Sequence, residues 1–390
     1  MPGAAALLAF STVRILLDYR PALRERTGVG EYAHELAASL ARQLQAGDEL
    51  VLFTSSWADR PDPDVAAGWP RTRVVDWRVP VRLLSYAWHR LGWPGIDRLA
   101  GPADIVQSLH PLLIPAGDAR SAITVHDLDF LHHPERTSAE IRRDYPALVR
   151  NHSARAALVV VNSSDTARSV ETALGVARER IVVCRPGIPA WIGAPIDRRP
   201  PENGYVLFVG TLEPRKNLGA LLDAWVDLSS RMPDLPRLRI AGGVRPGGEG
   251  WVERMRTAPL AGRVDYVGYV AGSDRRTLYE GARLLVLPSF HEGFGLPVLE
   301  AMSLGIPVVT SNRGALPEVV GDAGLTVDAE DRRALGEAIH AVLTDRDRAA
   351  TMRTRGLARA ADFNWDAAAR ALYRAYTDVM ARTGRDAHRR

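Results

Sequence analysis

At 390 residues the chain is too long for one ordinary hydrophobic core and calls for two domains, on a prior of about 150 residues each. Hydrophobic residues make up 46% and charged residues 25%, the balance of a soluble globular protein. A net charge of +4 without a basic run interleaved with aromatics argues against a nucleic-acid groove, and the one cysteine, Cys184, excludes an intrachain disulfide and suits a reducing cytoplasm.

In chain order, residues 1–12 are apolar but too short to span a bilayer. They lack the positive start of a secretory signal, so they read as an extension before the first strand. The runs VRILLD, ELVLFT, RVVDW, DIVQS, SAITVHD, ALVVVNS and RIVVC predict seven strands. Helical patterns fall between several of them, the clearest being residues 30–44, where Tyr32, Leu36, Leu40 and Leu44 share a stripe. Residues 77–94 predict a basic amphipathic helix with Val81, Leu84, Trp88 and Leu91 on one face. Cys184 closes an apolar run and reads as core. Residues 185–204, dense in Pro and Gly, mark a linker. YVLFVG, RLRIAGG, RVDYVGY, ARLLVLPS and IPVVTS then open a second strand series. A final helix carries Ala369, Leu372, Tyr373, Tyr376, Val379 and Met380 on one face and must dock. Strands alternating with helices twice over mean two α/β domains with parallel sheets.

Open parallel sheets bind ligands beyond the carboxyl ends of their strands, so those loops are the candidate sites. After YVLFV, Gly210 allows close backbone approach. Arg215 and Lys216, the one lysine among 50 basic residues, then precede a helix start that favours anions. After ARLLVLPS, Gly293 and Gly295 flank Phe294, and Pro297 suits a first helical turn. The N–H groups of Phe294, Gly295 and Leu296 then face a prospective phosphate. Glu292 precedes the turn, and Glu300 is expected in the first turn of the helix, aimed at the same pocket. Gly28 and Gly30 enter a helix after the first strand, and His126 and Asp127 end another. Asp127 and Asp129 look like an Asp-x-Asp metal motif but fall in the wrong domain context, and the cations at 215–216 can neutralise a diphosphate without metal. His132 and His133 lack the partners of a zinc site.

FVGTLEPRKNL, PSFHEGFGLPVLEAM and TSNRGALPEVVGDAGL resemble the retaining glycosyltransferases of family 4, with the GT-B fold. RPALRERTGVGEYAHEL, VHDLDFLHHPE and VNSSDTARSV resemble the same family's acceptor-side domain, so the likeness covers nearly the whole chain. It implies two Rossmann-like, doubly wound domains facing a cleft. The expected boundaries are an acceptor domain at 1–195, a linker at 196–203, a nucleotide-sugar domain at 204–364, a crossover helix at 365–382 and a tail at 383–390. The resemblance implies that Arg215 and Lys216 grip the donor diphosphate beside Gly210, and that Glu300 binds the ribose. Glu292 contacts the donor sugar, and Phe294, Gly295 and Leu296 offer N–H groups. Val270 seats the base, Gly28 and Gly30 close over the phosphate, and His126 lies over an outer sugar hydroxyl. His126, Glu292, Arg215 and Lys216 form the catalytic set, with no metal and no cofactor.

The implied partners are a nucleotide sugar, with mannose from GDP-mannose first, and a glycan or lipid-linked glycan acceptor of polysaccharide assembly. The expected location is cytoplasmic, with the helix at 77–94 either lying on an anionic bilayer or lining the cleft. One departure is Arg185-Pro186-Gly187-Ile188, where many members have Asn-Gly-Val. The alternatives are a GT-B sugar-nucleotide epimerase, which turns over without acceptor, and a catalytically silent nucleotide-sugar-binding protein.

Overall fold

The computed structural model describes residues 12–23, 28–134, 139–193 and 201–387. Residues 1–11 of the expected extension, 196–200 of the expected linker and the tail end 388–390 lie outside them. The first sheet contains β1 (Arg14–Asp18), β2 (Glu49–Ser55), β3 (Thr72–Trp77), β4 (Ile105–Ser108), β5 (Arg120–Val125), β6 (Leu158–Val161) and β7 (Ile181–Val183). The second contains β8 (Tyr205–Val209), β9 (Leu238–Ala241), β10 (Val264–Gly268), β11 (Ala282–Leu287), β12 (Val308–Ser311) and β13 (Leu325–Val327). Their orders are β3-β2-β1-β4-β5-β6-β7 and β10-β9-β8-β11-β12-β13, with parallel pairing in both.

Every anticipated strand forms, and the central ones are buried on both faces and read as unbroken apolar runs. Ile15, Leu16 and Leu17 are all fully buried, as are Leu284, Leu285 and Val286. The short edge strand β13 escaped the sequence reading, since its residues are half-buried or exposed and carry little apolar signal.

The helix Val29–Gln43 buries Tyr32, Leu36 and Leu40 as the stripe predicts, and Leu44 follows as its C-cap. The last helix, Trp365–Ala387, runs past Arg382 and crosses back onto the first domain. There Ala369, Leu372 and Tyr376 are fully buried in one cluster with Tyr32, Leu36 and Leu40, and Tyr373, Val379 and Met380 pack at its margin. Burying each such Leu side chain is worth about 1.5–3 kcal/mol. Cys184 lies in the same cluster, and burial pushes its thiol up to about 12. At the departure from the family pattern, a Cβ on Gly187 would sit 2.3 Å from the Trp365 amide nitrogen, so glycine there admits the start of the crossover helix.

The stripe expected at 77–94 is only half realised. Leu84 and Trp88 pack into the core, but Val81 and Leu91 are exposed, as are Leu83, Tyr86 and Trp93. The α-helix Val81–Tyr86 widens into a π turn at Ala87–Leu91, which shifts the angular phase and rotates Leu91 outward.

The domains meet across the cleft. Glu318 of the second domain accepts from the Ser164 and Asp165 amides (2.9 and 3.3 Å) at the start of helix Ser164–Leu174, and from Arg185 Nε at 2.7 Å. A carboxylate is favourable at that helix N-terminus.

Candidate active site

In the second sheet the strand order reverses between β8 and β11, and ligands of such sheets bind at that point. The loops after those two strands hold the candidate residues. Asn217, in the left-handed conformation at φ 54°, ties the loops together. Its Nδ2 donates to the carbonyls of Pro288 (3.1 Å) and Ala329 (2.7 Å), while the Phe290 amide donates to the Arg215 carbonyl at 2.9 Å.

This framework brings Arg215, Lys216 and Glu292 into direct contact. Lys216 Nζ lies 2.6 Å from Glu292 Oε1, Arg215 Nη1 lies 3.2 Å from Oε2, and Ser289 donates to Oε1 at 2.7 Å. Burial opposes the charge on Glu292, but Lys216, Arg215 and these hydrogen bonds outweigh it and hold the carboxyl down at about 2. Glu292 is therefore ionised throughout the neutral range.

Burial likewise opposes the charge on Arg215, and Glu292, Asp127, Glu213 and Asp129 more than offset it, raising an already basic group. Asp127 and Asp129 thus face the cation electrostatically from the other domain. The aliphatic part of Lys216 lies against Gly210, where a Cβ would come within 3.5 Å of Lys216 Cδ.

Beyond Glu292 the chain turns through Gly295, at φ 105°, into the helix Leu296–Ser303, with Pro297 near its start. The amides of Phe294, Gly295 and Leu296 have no hydrogen-bond partner among the described residues, so this end presents free donors. The late start at Gly295 places Glu300 in the second turn rather than the first. Glu300 is fully buried, and its carboxylate accepts from Arg275 Nη2 and from the Tyr279 hydroxyl. Arg275 also reaches Glu31 of the first domain at 3.4 Å, and its guanidinium lies 4.9 Å from the Trp191 ring centre.

Arg275 and Tyr279 escaped the sequence reading. Their i, i+4 spacing on the helix Gly272–Glu280 places them on one face and was the available signal. Val270, between β10 and that helix, is half-buried against the second core.

Across the cleft, Gly28, at φ 49°, caps the helix Val29–Gln43, and Gly30 is buried in its first turn. His126 follows β5. Its Nε2 lies 3.1 Å from the Leu109 carbonyl, which only accepts, so Nε2 carries the proton and Nδ1 is left as an acceptor. Its ring meets Tyr32 edge-on at 5.0 Å, and burial lowers the imidazole below its usual value, leaving it neutral at pH 7. The domains touch closely here. A Cβ on Gly293 would fall 1.8 Å from the His126 carbonyl oxygen, and Thr166 Oγ1 donates to the Gly293 carbonyl at 3.3 Å.

Two doubly wound parallel sheets facing one cleft, with the crossover helix returning to the first domain, define a protein of the GT-B fold. Residues 26–190 match the family described as Glycosyltransferase Family 4, and residues 203–345 match Glycosyl transferases group 1. The O-antigen chain mannosyltransferase B of Escherichia coli is 32% identical over 382 residues, which is 91% of this chain and 97% of that one. The D-inositol 3-phosphate glycosyltransferase of Mycobacterium bovis is 27% identical, covering 100% of this chain and 86% of its own. Sucrose-phosphate synthase from Thermosynechococcus elongatus has the same fold, with a TM-score of 0.73 at 22% identity over 95% of this chain and 100% of its own. The chain belongs to the family 4 glycosyltransferases.

Proposed function

We propose that this glycosyltransferase moves a hexose, mannose from GDP-mannose in the first instance, onto a hydroxyl of a glycan or lipid-linked glycan during polysaccharide assembly, with retention of configuration and without a metal. The observation that carries the reading is the cluster at the β8/β11 switch point. Arg215 and Lys216 are fixed against an ionised Glu292 beneath three unpartnered amides, and His126 stands opposite. Cleaving the bond between sugar C1 and phosphate develops negative charge on the leaving diphosphate. Preset cations and helix amides stabilise that charge without reorganising. In this reading Lys216, with one donor on Glu292, turns its others to the diphosphate, and Arg215 acts beside it. Gly28 and Gly30 close over the phosphate, and Val270 seats the base.

Glu292 accepts hydroxyls of the donor sugar, and the Nδ1 of His126 accepts another. Attack comes from the face the diphosphate leaves, with the departing phosphate taking the acceptor proton. The mannose choice is supported by the similarity to an O-antigen mannosyltransferase. The exposed Leu83, Tyr86, Leu91 and Trp93, beside Arg82 and Arg90, form a surface suited to an anionic bilayer.

A thermal-shift panel of GDP, UDP and ADP tests the reading, since a ligand bound to the folded state alone raises stability with its concentration over Kd. GDP is expected to stabilise most, and the absence of stabilisation by every diphosphate would overturn the assignment. Trapping a covalent glycosyl group on Glu292 would overturn the same-face attack.

A further inference from the structure

The first sheet repeats the strand order of the second, so it has an equivalent crevice where β1 and β4 part company. Asp18 ends β1 there and is wholly buried. Arg20 donates to it from Nε at 2.7 Å and from Nη2 at 2.8 Å, with its guanidinium 4.6 Å from the Trp88 ring centre. His110, beyond the end of β4, brings Nε2 to 3.4 Å from Asp18 Oδ2. His89, from the π turn, completes the group with His152 of the helix Ala139–Arg155. Ring centres are 6.1 Å apart for His89 and His110, and 5.8 Å apart for His89 and His152.

This group has more donors than acceptors. His152 Nδ1 accepts from the Leu113 amide at 2.7 Å, and His110 Nδ1 accepts from the Leu112 amide at 3.3 Å, so in both rings Nδ1 is the acceptor and Nε2 the donor. Arg20 Nη1 and His89 Nδ1 are buried without a partner among the described residues. Such orphaned polar atoms are costly and rare. Asp18 is balanced by Arg20, which leaves nothing in the group to balance an imidazolium. Burial, then the charges of His110, His152 and Arg20, hold His89 at about 4 against the opposing pull of Asp18. Burial, then Arg155 and His110, hold His152 at about 4. The His110 side chain is 29% exposed and opens the group to the surface. His110 also lowers His126 electrostatically, so the crevice adjoins the donor-sugar side.

We propose that the crevice formed by Arg20, His89, His110 and His152 binds an anionic group of the acceptor, a phosphate or a carboxylate. The inference rests on the reading that the first domain takes the acceptor. An anion accepts from the Nε2–H of His152 and the free guanidinium nitrogen of Arg20, and compensates imidazoles as they protonate. Charge-assisted bonds of this kind are the stronger class.

The first test does not depend on glycosyl transfer. Histidine NMR titrations of the full chain, with inorganic phosphate or with chloride at equal ionic strength, are expected to show His89 and His152 titrating about one pH unit higher in phosphate. Identical titrations in the two salts overturn the proposal, whatever becomes of the transferase reading. His89→Leu removes an orphaned buried nitrogen, so the variant is expected to keep its melting temperature and its stabilisation by nucleoside diphosphates while losing the phosphate effect on His152. Retention of that effect overturns the role of His89.

With turnover established, His89→Leu is expected to raise KM for an anionic acceptor about tenfold, roughly 1.4 kcal/mol, with kcat and donor KM held. Paired acceptors locate the anion: one carries its charge only in a lipid-linked diphosphate, the other only on the sugar. The one whose KM rises identifies the source, and an unchanged KM for both overturns the proposal.

Discussion

The two switch points of this molecule invite comparison, because one strand order carries two different charge designs. At β8/β11 the carboxylate of Glu292 is shared by two cations, Arg215 and Lys216, and Glu213 pairs with Arg215 as well. At β1/β4 a single carboxylate, Asp18, is matched by one guanidinium, and the imidazoles of His89 and His152 are held neutral by burial and by neighbouring positive charge. Arginine and lysine ordinarily stay charged across the physiological range, so under the proposed function the first design is ready for a diphosphate before it arrives. Under the proposed anion binding, the second gains its charge as the anion brings protonation of His89 and His152 within reach.

The largest expected effect comes from breaking the permanent design. Glu292→Gln strips Lys216 of its carboxylate partner and leaves Arg215 ion-paired with Glu213 at 2.8 Å, and removing one partner of a buried pair costs about 3–5 kcal/mol. Activity should fall at least about a hundredfold, because charge stabilisation of this kind is worth that much. The pH dependence has a defined sign. The folded value of about 2 lies below the ordinary 4.5, so the stabilisation is complete above pH 4.5 and lost as pH falls toward 2. Acid unfolding of the Gln variant should lack that component. An unchanged acid profile would mean that Glu292 is not held by its cations.

Gly293→Ala disturbs the seam between the two sites rather than either charge set. A methyl group 1.8 Å from the His126 carbonyl forces the domains apart. A displacement near 1 Å costs about a hundredfold in rate. Nucleoside diphosphate binding, proposed to rest mainly on the second domain, should persist, and a parallel loss of both would argue against a seam effect.

Lys216→Arg sharpens the comparison by keeping the charge and changing its shape. The planar fork cannot follow the ammonium past Gly210, and stabilisation by the preferred diphosphate should weaken roughly tenfold. Undiminished stabilisation would show that charge alone matters. The smallest effect expected is that of Glu31→Gln, which cuts the cross-cleft partner of Arg275 and leaves its bond to Glu300. A coupling loss of about 1 kcal/mol, roughly fivefold in donor KM, is expected. An unaltered KM would make the Arg275–Glu31 pair structural.

Much of this was legible in the chain. Strands such as VRILLD and ARLLVLPS announce themselves because double-sided burial demands continuous apolar residues. The grouping of Arg215, Lys216 and Glu292 in the loops after β8 and β11 was legible because local constraints concentrate there: glycines for close approach, a proline opening a helix, and cations beside them. The half-exposed β13 and the turn at 87–91 were not legible. The first carries too little apolar signal, and the second changes the helical phase on which the stripe at 77–94 depended.

By itself, then, the sequence determined the two α/β domains, the order of their strands along the chain and the loops that carry Arg215, Lys216 and Glu292. Local periodicity and turn chemistry are written in neighbouring residues. The tertiary structure alone decided that Glu300 rests on Arg275 and Tyr279, that Arg275 reaches a glutamate 244 positions away, and that Arg20, His89, His110 and His152 surround one crevice. Those pairings bridge long separations. Their energy depends on burial and on geometry imposed by the packed sheets, which no short stretch of residues encodes.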